Sequence, residues 1–182
     1  GYTEDDLYRL NKGDFAPVEI EGNFDTKKVL TKNEDKFKVL GTYNNNNIDL
    51  ANINKVKLDL LNYKNLLLLV NDYKPKFIVN CSGYTDVEKC ETNPALAKKI
   101  NYEIVKNLVK ICKDNRIKLI HISTDHVFDG KKDIYTEKSF TNPINVYSKT
   151  KVLAENYIKK NIKNFIIFRW NFFGWGNLNK RS

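Results

Sequence analysis

The stretch that decides the fold is IKLIHISTD at residues 117–125. Its apolar residues form a run of strand length that ends in hydroxyl and carboxylate side chains. Downstream, NVYSKTK at residues 145–151 places Tyr147 and Lys151 four positions apart. On a helix these two side chains share one face. A phenol and an ammonium can therefore point into one cleft, and the hydroxyl of Thr124 at the end of the strand can complete it.

The segments around this stretch alternate between strand and helix from about residue 36, which is the pattern of a parallel α/β sheet. Pro75 and Asn115 end helical runs, and Asn93 supplies a capping side chain before a proline in a first helical turn. A loop covers residues 125–143. The predicted strands span residues 37–43, 55–60, 77–81, 117–122 and 165–168, and the predicted helices span residues 62–73, 93–115 and 147–160.

Residues 1–35 do not fit this pattern, and we interpret them as an atypical N-terminal segment. Residues 25–33 could form a helix, and residues 17–21 resemble a strand. The first strand of a doubly wound sheet lies centrally, where both faces are buried and the side chains are apolar. Glu19 and Glu21 fit such a strand badly. Either this strand is degenerate or the true first strand is missing from the chain.

The composition indicates a globular protein of the cytoplasm. The chain has 182 residues, of which 41% are hydrophobic, and it can bury a core. No apolar run approaches membrane-spanning length, and residues 1–6 do not resemble a signal peptide. The three cysteines and the two histidines lack metal-ligand spacing, which favours reduced thiols and no metal site. The net charge of +9 comes from lysines spread among acids along the whole chain, so it gives a nucleic-acid partner little support.

Several blocks between residues 74 and 176 resemble the dTDP-4-dehydrorhamnose reductase branch of the extended short-chain dehydrogenases. The blocks follow that family's order and spacing, and the beta subunit of methionine adenosyltransferase belongs to the same branch. The resemblance implies a Rossmann-like doubly wound parallel sheet, with residues 36–182 as a partial NAD(P)-binding domain. The blocks are KFIVNCSGYTDVEKCE (76–91), HISTDHVFDG (121–130), YTE (135–137), NPINVY (142–147) and FRWNFFG (168–174).

The resemblance also implies which residues form the site. Tyr147, Lys151 and Thr124 match the catalytic residues. Asp125 and Phe172, together with Thr124, match residues that contact the substrate, a nucleotide-linked 4-keto-6-deoxy sugar used in polysaccharide biosynthesis. The implied cofactor is NADPH or NADH. Its expected contacts are Tyr147, Lys151, Asp59, Leu60, Cys81, Ser82 and Gly83. A homo-oligomer or a partner enzyme stays open.

The chemistry of these residue types fits a reductase. A tyrosine phenol has a pKa near about 10 in model peptides, and a nearby lysine ammonium would lower that pKa. Tyr147 would then act as a general acid that protonates a carbonyl oxygen while hydride arrives at the carbon. Thr124, with Ser123 as the less favoured alternative, would hydrogen-bond the same oxygen.

Two departures from the family pattern leave a second hypothesis open. The glycines before the second strand, Gly1, Gly13 and Gly22, are too dispersed for the glycine-rich turn that approaches a pyrophosphate. The family's C-terminal substrate domain would lie beyond Gly176, so it is expected to be absent here. The alternative to a reductase is therefore a non-catalytic or degenerate paralogue that acts as a regulatory or binding subunit.

Three smaller expectations concern individual residues or short segments. Asp59 could simply cap the turn between a strand and a helix. Asp86, Glu88 and Glu91 are expected to form a solvated acidic loop. Residues 42–44 carry neither the acid nor the arginine that would distinguish NADH from NADPH.

Overall fold

The structure is a computed structural model that describes residues 38–44 and 53–170. The chain divides into two compact units, and the second unit runs from Leu58 to Phe172. The described part of the first unit consists of two short strands and the residues beside them. Three features of the sequence analysis lie outside the described residues: the strand at 17–21, the helix at 25–33 and the substrate contact at Phe172.

The first unit contains a pair of parallel strands. β1 is Leu40–Tyr43 and β2 is Asn54–Lys57. The prediction that the second strand extends to Leu60 is wrong, because the chain turns at Asp59. The Asp59 carboxylate accepts a hydrogen bond from the Leu61 N–H at 2.9 Å, which closes the turn locally.

The second unit is built on a three-stranded parallel sheet. β3 is Phe77–Asn80, β4 is Lys118–Ser123 and β5 is Phe165–Arg169, in the spatial order β3-β4-β5. The register sets Asn80 beside His121 at the carboxyl half of the sheet. Parallel neighbours require crossover connections, and helices supply them here. The predicted α/β class with parallel strands is confirmed.

The first helix, α1, spans Tyr63–Tyr73, close to its predicted bounds. The Asn62 side chain accepts a hydrogen bond from the Asn65 N–H at 3.1 Å and caps the start. Lys74 takes up a left-handed conformation with φ of 50° and ends the helix. Pro75 follows and cannot continue the helical hydrogen bonds.

A short helix that the sequence analysis did not predict, α2, spans Val87–Thr92. Asp86 caps its start, because its Oδ1 accepts a hydrogen bond from the Lys89 N–H at 3.0 Å. Glu91 Oε1 accepts a hydrogen bond from the Val146 N–H at 2.7 Å. Asp86, Glu88 and Glu91 are exposed, as predicted, but they lie in or beside this helix and not in a loop, and two of their carboxylates hold structural hydrogen bonds.

The helix predicted over residues 93–115 is divided into three parts. α3 is Pro94–Lys98 and α4 is Ile104–Asn115, and Lys99–Glu103 between them forms a π-helical turn. Such turns often occur at functional sites. The buried side chain of Asn101 lies in this turn.

The last described helix, α5, spans Val146–Asn161 and carries Tyr147 in its first turn. A capping box fixes where it starts. Asn145 Oδ1 accepts a hydrogen bond from the Ser148 N–H at 2.8 Å, and Ser148 Oγ accepts one from the Asn145 N–H at 3.4 Å. The predicted helix over 147–160 is confirmed, with one more residue at each end.

The apolar core of the second unit lies between the helices and the sheet. The α4 residues recur at helical spacing along one face, which is the pattern of an amphipathic helix packed on a sheet. Burial of such side chains is the main favourable term in folding. The core includes Leu66, Val70, Val105, Leu108, Val109, Ile111, Cys112, Ile117, Leu119, Ala154 and Ile158.

A buried carboxylate joins α5 to the sheet. Glu155 is only 1% exposed. Its Oε1 accepts a hydrogen bond from Ser123 Oγ at 2.7 Å, and its Oε2 accepts one from Arg169 Nη2 at 2.7 Å. Because Ser123 ends β4 and Arg169 ends β5, this carboxylate fixes the helix against the carboxyl ends of both strands.

Replacing Glu155 with glutamine should destabilise the second unit strongly. Burial alone would raise the pKa of Glu155, but the hydrogen bonds from Arg169 and Ser123 lower it below the ordinary value, so the group is charged at neutral pH. Loss of that charge leaves the mostly buried Arg169 guanidinium without its anion. We expect Glu155→Gln to lower the free energy of unfolding by about 3 kcal/mol, measured by urea denaturation.

The matched control is Glu103→Gln, which breaks an ion pair of similar length on the surface. Glu103 Oε2 lies 2.8 Å from Lys106 Nζ, and both side chains are well exposed. Exposed pairs contribute little, so the expected loss is below about 1 kcal/mol. Equal losses in the two variants would contradict the structural role of Glu155.

Candidate active site

The predicted catalytic residues lie at the carboxyl edge of the three-stranded sheet. Thr124 directly follows β4, and the loop of residues 81–84 directly follows β3. Because the two strands are parallel neighbours, both segments leave the sheet at the same edge. Ligands of open α/β sheets bind in the crevice at this edge.

Tyr147 and Thr124 meet at this edge. The Thr124 side chain lies close enough to the Tyr147 phenol to lower the pKa of that phenol against the effect of burial, and the tyrosine is 9% exposed. The ring of His126 packs edge-on against the Tyr147 ring, with the centroids 6.2 Å apart. The structure therefore brings together two of the three predicted catalytic residues.

The Thr124 hydroxyl is held by its own turn. Its Oγ1 accepts a hydrogen bond from the His126 N–H at 3.2 Å and donates one to Asp125 Oδ1 at 3.3 Å. Ser123 was the less favoured candidate for the residue that binds the carbonyl oxygen. Its hydroxyl instead donates a hydrogen bond to the buried Glu155 carboxylate. Between the two hydroxyls, Thr124 is therefore the one that faces Tyr147.

Lys151 lies one turn beyond Tyr147 and is 4% exposed. Its Nζ donates a hydrogen bond to the Ile122 carbonyl at 2.6 Å, and lies 3.5 Å from His121 Nε2. Burial lowers the pKa of Lys151 to about 8, although Glu155 and other neighbouring groups act in the opposite direction. The hydrogen bond to the Ile122 carbonyl shows that the amine points towards the backbone of β4.

The structure does not reproduce the predicted lowering of the Tyr147 pKa by Lys151. Burial raises the pKa of Tyr147 above its ordinary value, and the Thr124 side chain acts in the opposite direction. The reason is that the phenol is desolvated while the Lys151 amine is directed to the Ile122 carbonyl. Tyr147 is consequently a neutral phenol at physiological pH.

The loop after β3 is anchored by an asparagine that the sequence analysis did not single out. Asn101 Oδ1 accepts a hydrogen bond from the Tyr84 N–H at 2.6 Å, and its Nδ2 donates to the Tyr84 carbonyl at 3.1 Å. The same Nδ2 donates to Thr150 Oγ1 in α5 at 3.0 Å. Asn101 thus ties the loop to the helix of Tyr147. The available signal was a polar residue within an apolar helical pattern.

The three predicted cofactor contacts in this loop are Cys81, Ser82 and Gly83. Both the N–H and the hydroxyl of Ser82 donate to Asn80 Oδ1, at 3.1 and 2.6 Å. A Cβ at Gly83 would lie 3.4 Å from the Thr85 side chain, an ordinary contact, so the turn itself does not require glycine. Cys81 is half-buried.

Asp59 and Leu60, the predicted adenine contacts, form the turn before α1. The Asp59 carboxylate hydrogen-bonds within that turn, as expected if its role is to cap the turn between strand and helix. The Leu60 carbonyl accepts a hydrogen bond from Asn107 Nδ2 at 3.0 Å, which holds the turn against α4. The side-chain hydrogen bonds of this turn thus join it to itself and to α4.

Three further expectations concern the described residues only. In that part of the chain, no group of three or more histidine, cysteine, aspartate or glutamate side chains is arranged to hold a metal ion. None of the three cysteines, all of which lie within 53–170, is in a disulfide. No described helix has both the length and the apolar character needed to cross a membrane.

Known proteins resemble about two thirds of this chain. A dTDP-4-dehydrorhamnose reductase of Salmonella typhimurium is 37% identical over 122 residues, covering 65% of this chain and 41% of that protein. The methionine adenosyltransferase 2 subunit beta of Xenopus laevis is 33% identical over 112 residues, covering 62% and 34%. The matched region thus spans less than half the length of these relatives.

A solved structure shows the same fold. The dTDP-4-dehydrorhamnose reductase of Bacillus anthracis in complex with NADP has a TM-score of 0.61 and 30% identity, covering 65% of this chain and 44% of that one. The family model described as the RmlD substrate binding domain matches residues 37–177, most of the chain. The chain therefore belongs to the RmlD substrate binding domain family, in which its relatives include the dTDP-4-dehydrorhamnose reductases.

Proposed function

We propose that the protein carrying this chain reduces a nucleotide-linked 4-keto-6-deoxy sugar with NADPH or NADH, and that Tyr147 donates the proton. The observation that carries the proposal is that the Thr124 side chain lies close to the buried Tyr147 phenol at the carboxyl edge of β4. The Salmonella relative is named for this reaction. Such a reductase serves polysaccharide biosynthesis and works in the cytoplasm.

The protonation state of Tyr147 suits a proton donor. Because burial raises the pKa of the phenol, Tyr147 holds its proton at neutral pH. In the reduction, the phenol gives this proton to the carbonyl oxygen, which becomes the hydroxyl of the product. The single proton of the Thr124 hydroxyl is directed to Asp125 Oδ1 in this structure. If the hydroxyl turns to a bound carbonyl oxygen, that oxygen receives hydrogen bonds from both Tyr147 and Thr124, which orient it and stabilise its developing charge.

The residues at this edge fit a dinucleotide. The loop Cys81–Gly83 leaves the sheet beside Thr124 and carries no side chain at position 83. Lys151 supplies an amine and Tyr147 a hydroxyl, both of which can hydrogen-bond a ribose. Asp59 and Leu60 are proposed to contact the adenine. When bound, the cofactor supplies the hydride, and the Bacillus anthracis protein was solved with NADP.

Asp125 and Phe172 are proposed to contact the sugar. The Asp125 side chain is 45% exposed beside Thr124, so it is accessible to a ligand at this edge. Phe172 lies outside the described residues, and its role rests on its position in the FRWNFFG block.

A second candidate function is that of a non-catalytic subunit. It is favoured by the similarity to the Xenopus subunit beta and by the scattered glycines before the second strand. Such a protein would keep the sheet and the Tyr147–Thr124 pair and act through a protein interface. The two functions differ in whether the chain binds cofactor and turns over a keto sugar.

The decisive variant is Tyr147→Phe, which removes only the phenol oxygen. We expect turnover of a dTDP-linked 4-keto-6-deoxy sugar, followed by NADPH oxidation, to fall by at least about 100-fold. NADPH affinity, followed by fluorescence, should fall much less, by about tenfold or less, because the variant loses only one hydrogen bond to the ribose and keeps the ring that packs in the site.

Tyr157→Phe is the matched control on the same helix. Tyr157 packs edge-on against Tyr102, away from Thr124, so its variant should retain full turnover. Undiminished turnover in Tyr147→Phe would exclude Tyr147 as the proton donor. If the protein neither binds NADPH at millimolar concentration nor reduces the sugar, the non-catalytic function is the better account.

The depressed pKa of Lys151 predicts a pH dependence of stability. The unfolded lysine has a pKa of 10.5, and the folded one has a pKa of about 8. Between these values the unfolded chain holds a proton that the folded chain lacks, so the free energy of unfolding rises with pH. The contribution of Lys151 should approach about 1.4 kcal/mol per pH unit within this window.

Urea denaturation of the wild type and Lys151→Met from pH 7 to pH 10 measures this contribution. The difference in unfolding free energy between the two proteins should grow with pH in favour of the wild type. Lys149→Met, at an exposed position on the same helix, should follow the wild-type curve. Parallel curves for the wild type and Lys151→Met would show that the buried amine keeps an ordinary pKa.

A further inference from the structure

His121, the buried histidine of β4, is not among the residues to which the proposed reaction assigns a part. His121 is 1% exposed, and its two ring nitrogens face different groups. Nδ1 lies 3.0 Å from Asn80 Nδ2, and Nε2 lies 3.5 Å from Lys151 Nζ. The imidazole therefore bridges the end of β3 and the helix that carries Tyr147.

The orientation of the Asn80 amide is fixed by the backbone. The Ser82 N–H lies 3.1 Å from Asn80 Oδ1, and a backbone N–H can only donate. The atom that accepts this hydrogen bond must be the amide oxygen, because an amide NH₂ cannot accept. The Ser82 hydroxyl donates to the same oxygen at 2.6 Å. The NH₂ group of Asn80 consequently faces His121.

This orientation determines where the His121 proton lies. Asn80 Nδ2 is a donor, so His121 Nδ1 must present its lone pair to it. An imidazolium and the Nδ1–H tautomer are both excluded, because each would place a second donor on Nδ1. His121 is therefore neutral and carries its proton on Nε2.

We propose that His121 is a positioning residue for Lys151: its Nε2–H, fixed by Asn80, faces the Lys151 amine and favours the uncharged form of that amine. An ammonium at Nζ would set donor against donor, whereas a neutral amine offers a lone pair to the N–H. The remaining contact of Nζ is its hydrogen bond to the Ile122 carbonyl.

The other charged and titratable groups near Lys151 either favour its charged form or are themselves neutral. Glu155, on the same helix, and Cys81, after β3, favour the charged amine. Tyr147 is neutral because of its raised pKa. The low pKa of His121, which follows from its burial and from Lys151, agrees with a neutral ring.

The inference deepens the proposed reductase function and rests on it for its catalytic meaning. A lysine that is poised between amine and ammonium near neutral pH can take up or release one proton beside Tyr147. A permanently charged lysine cannot do so. His121 acts through Lys151 and contacts no substrate in this account.

The first test is the tautomer of His121 in the purified protein, measured by two-bond ¹H–¹⁵N NMR correlation. The chain has two histidines, and His126→Gln assigns the signals. We expect His121 to show a protonated Nε2 and an unprotonated Nδ1, with no titration from pH 5 to pH 8. An Nδ1–H tautomer, or an imidazolium at pH 6, would overturn the proposal.

The second test changes the group that sets the tautomer. Asn80→Asp keeps the shape of the side chain and the acceptor for Ser82 but replaces the NH₂ donor with an acceptor. It should move a proton onto His121 Nδ1. Ser82→Ala keeps the backbone N–H and should leave the wild-type tautomer in place. A tautomer that is the same in Asn80→Asp and the wild type would contradict the role of Asn80.

The third test measures Lys151 directly. In protein labelled with ¹³C at lysine Cε, the Lys151 signal is assigned by its loss in Lys151→Met, and its midpoint should lie near pH 8. His121→Phe keeps an apolar ring in place but removes the N–H, so the midpoint should rise by roughly one pH unit. Burial alone predicts an unchanged or lower midpoint, and that result would overturn the proposal.

The wild-type tautomer remains decisive if a variant fails to fold. None of these readouts requires cofactor or sugar. A protein without reductase activity can therefore still show or lack the predicted Nε2–H tautomer and Lys151 titration, which separates this inference from the proposed function.

Discussion

The buried carboxylate of Glu155 is the interaction on which the site depends. It binds Ser123 at the end of β4 and Arg169 at the end of β5, so α5 can dock on the sheet in only one register. That register sets Tyr147 beside Thr124, the residue that follows Ser123. A charge that is costly to bury is thus placed where it fixes the relative position of helix and strand.

Burial also sets the protonation states at the site. Removal from water favours the neutral form of both the Tyr147 phenol and the Lys151 amine, in opposite directions on the pKa scale. The neutral phenol is a proton donor, and the lysine titrates close to physiological pH. The tautomer of His121, set by Asn80, adds a directional contact to the same preference.

The sequence pattern predicted the features of the fold that residues close together in the chain determine. The three strands of the second unit and helix α5 were predicted within one or two residues, and the predicted site residues Thr124 and Tyr147 lie close together. Contacts between distant segments were missed. Glu91 was placed in a solvated loop, yet it accepts a hydrogen bond from a backbone N–H 55 residues later in the chain. Asn101 was missed for the same reason, because its partners lie in a loop and a helix that only the fold brings together.

The most direct test of the account is whether hydride reaches the sugar. The protein that carries this chain would be mixed with a dTDP-linked 4-keto-6-deoxy sugar and NADPH that is deuterated at the transferable position, and the sugar would be analysed by mass spectrometry. The account predicts a hydroxyl sugar that has gained one deuterium at carbon 4. Recovery of the unreduced keto sugar from a preparation that binds NADPH would contradict it.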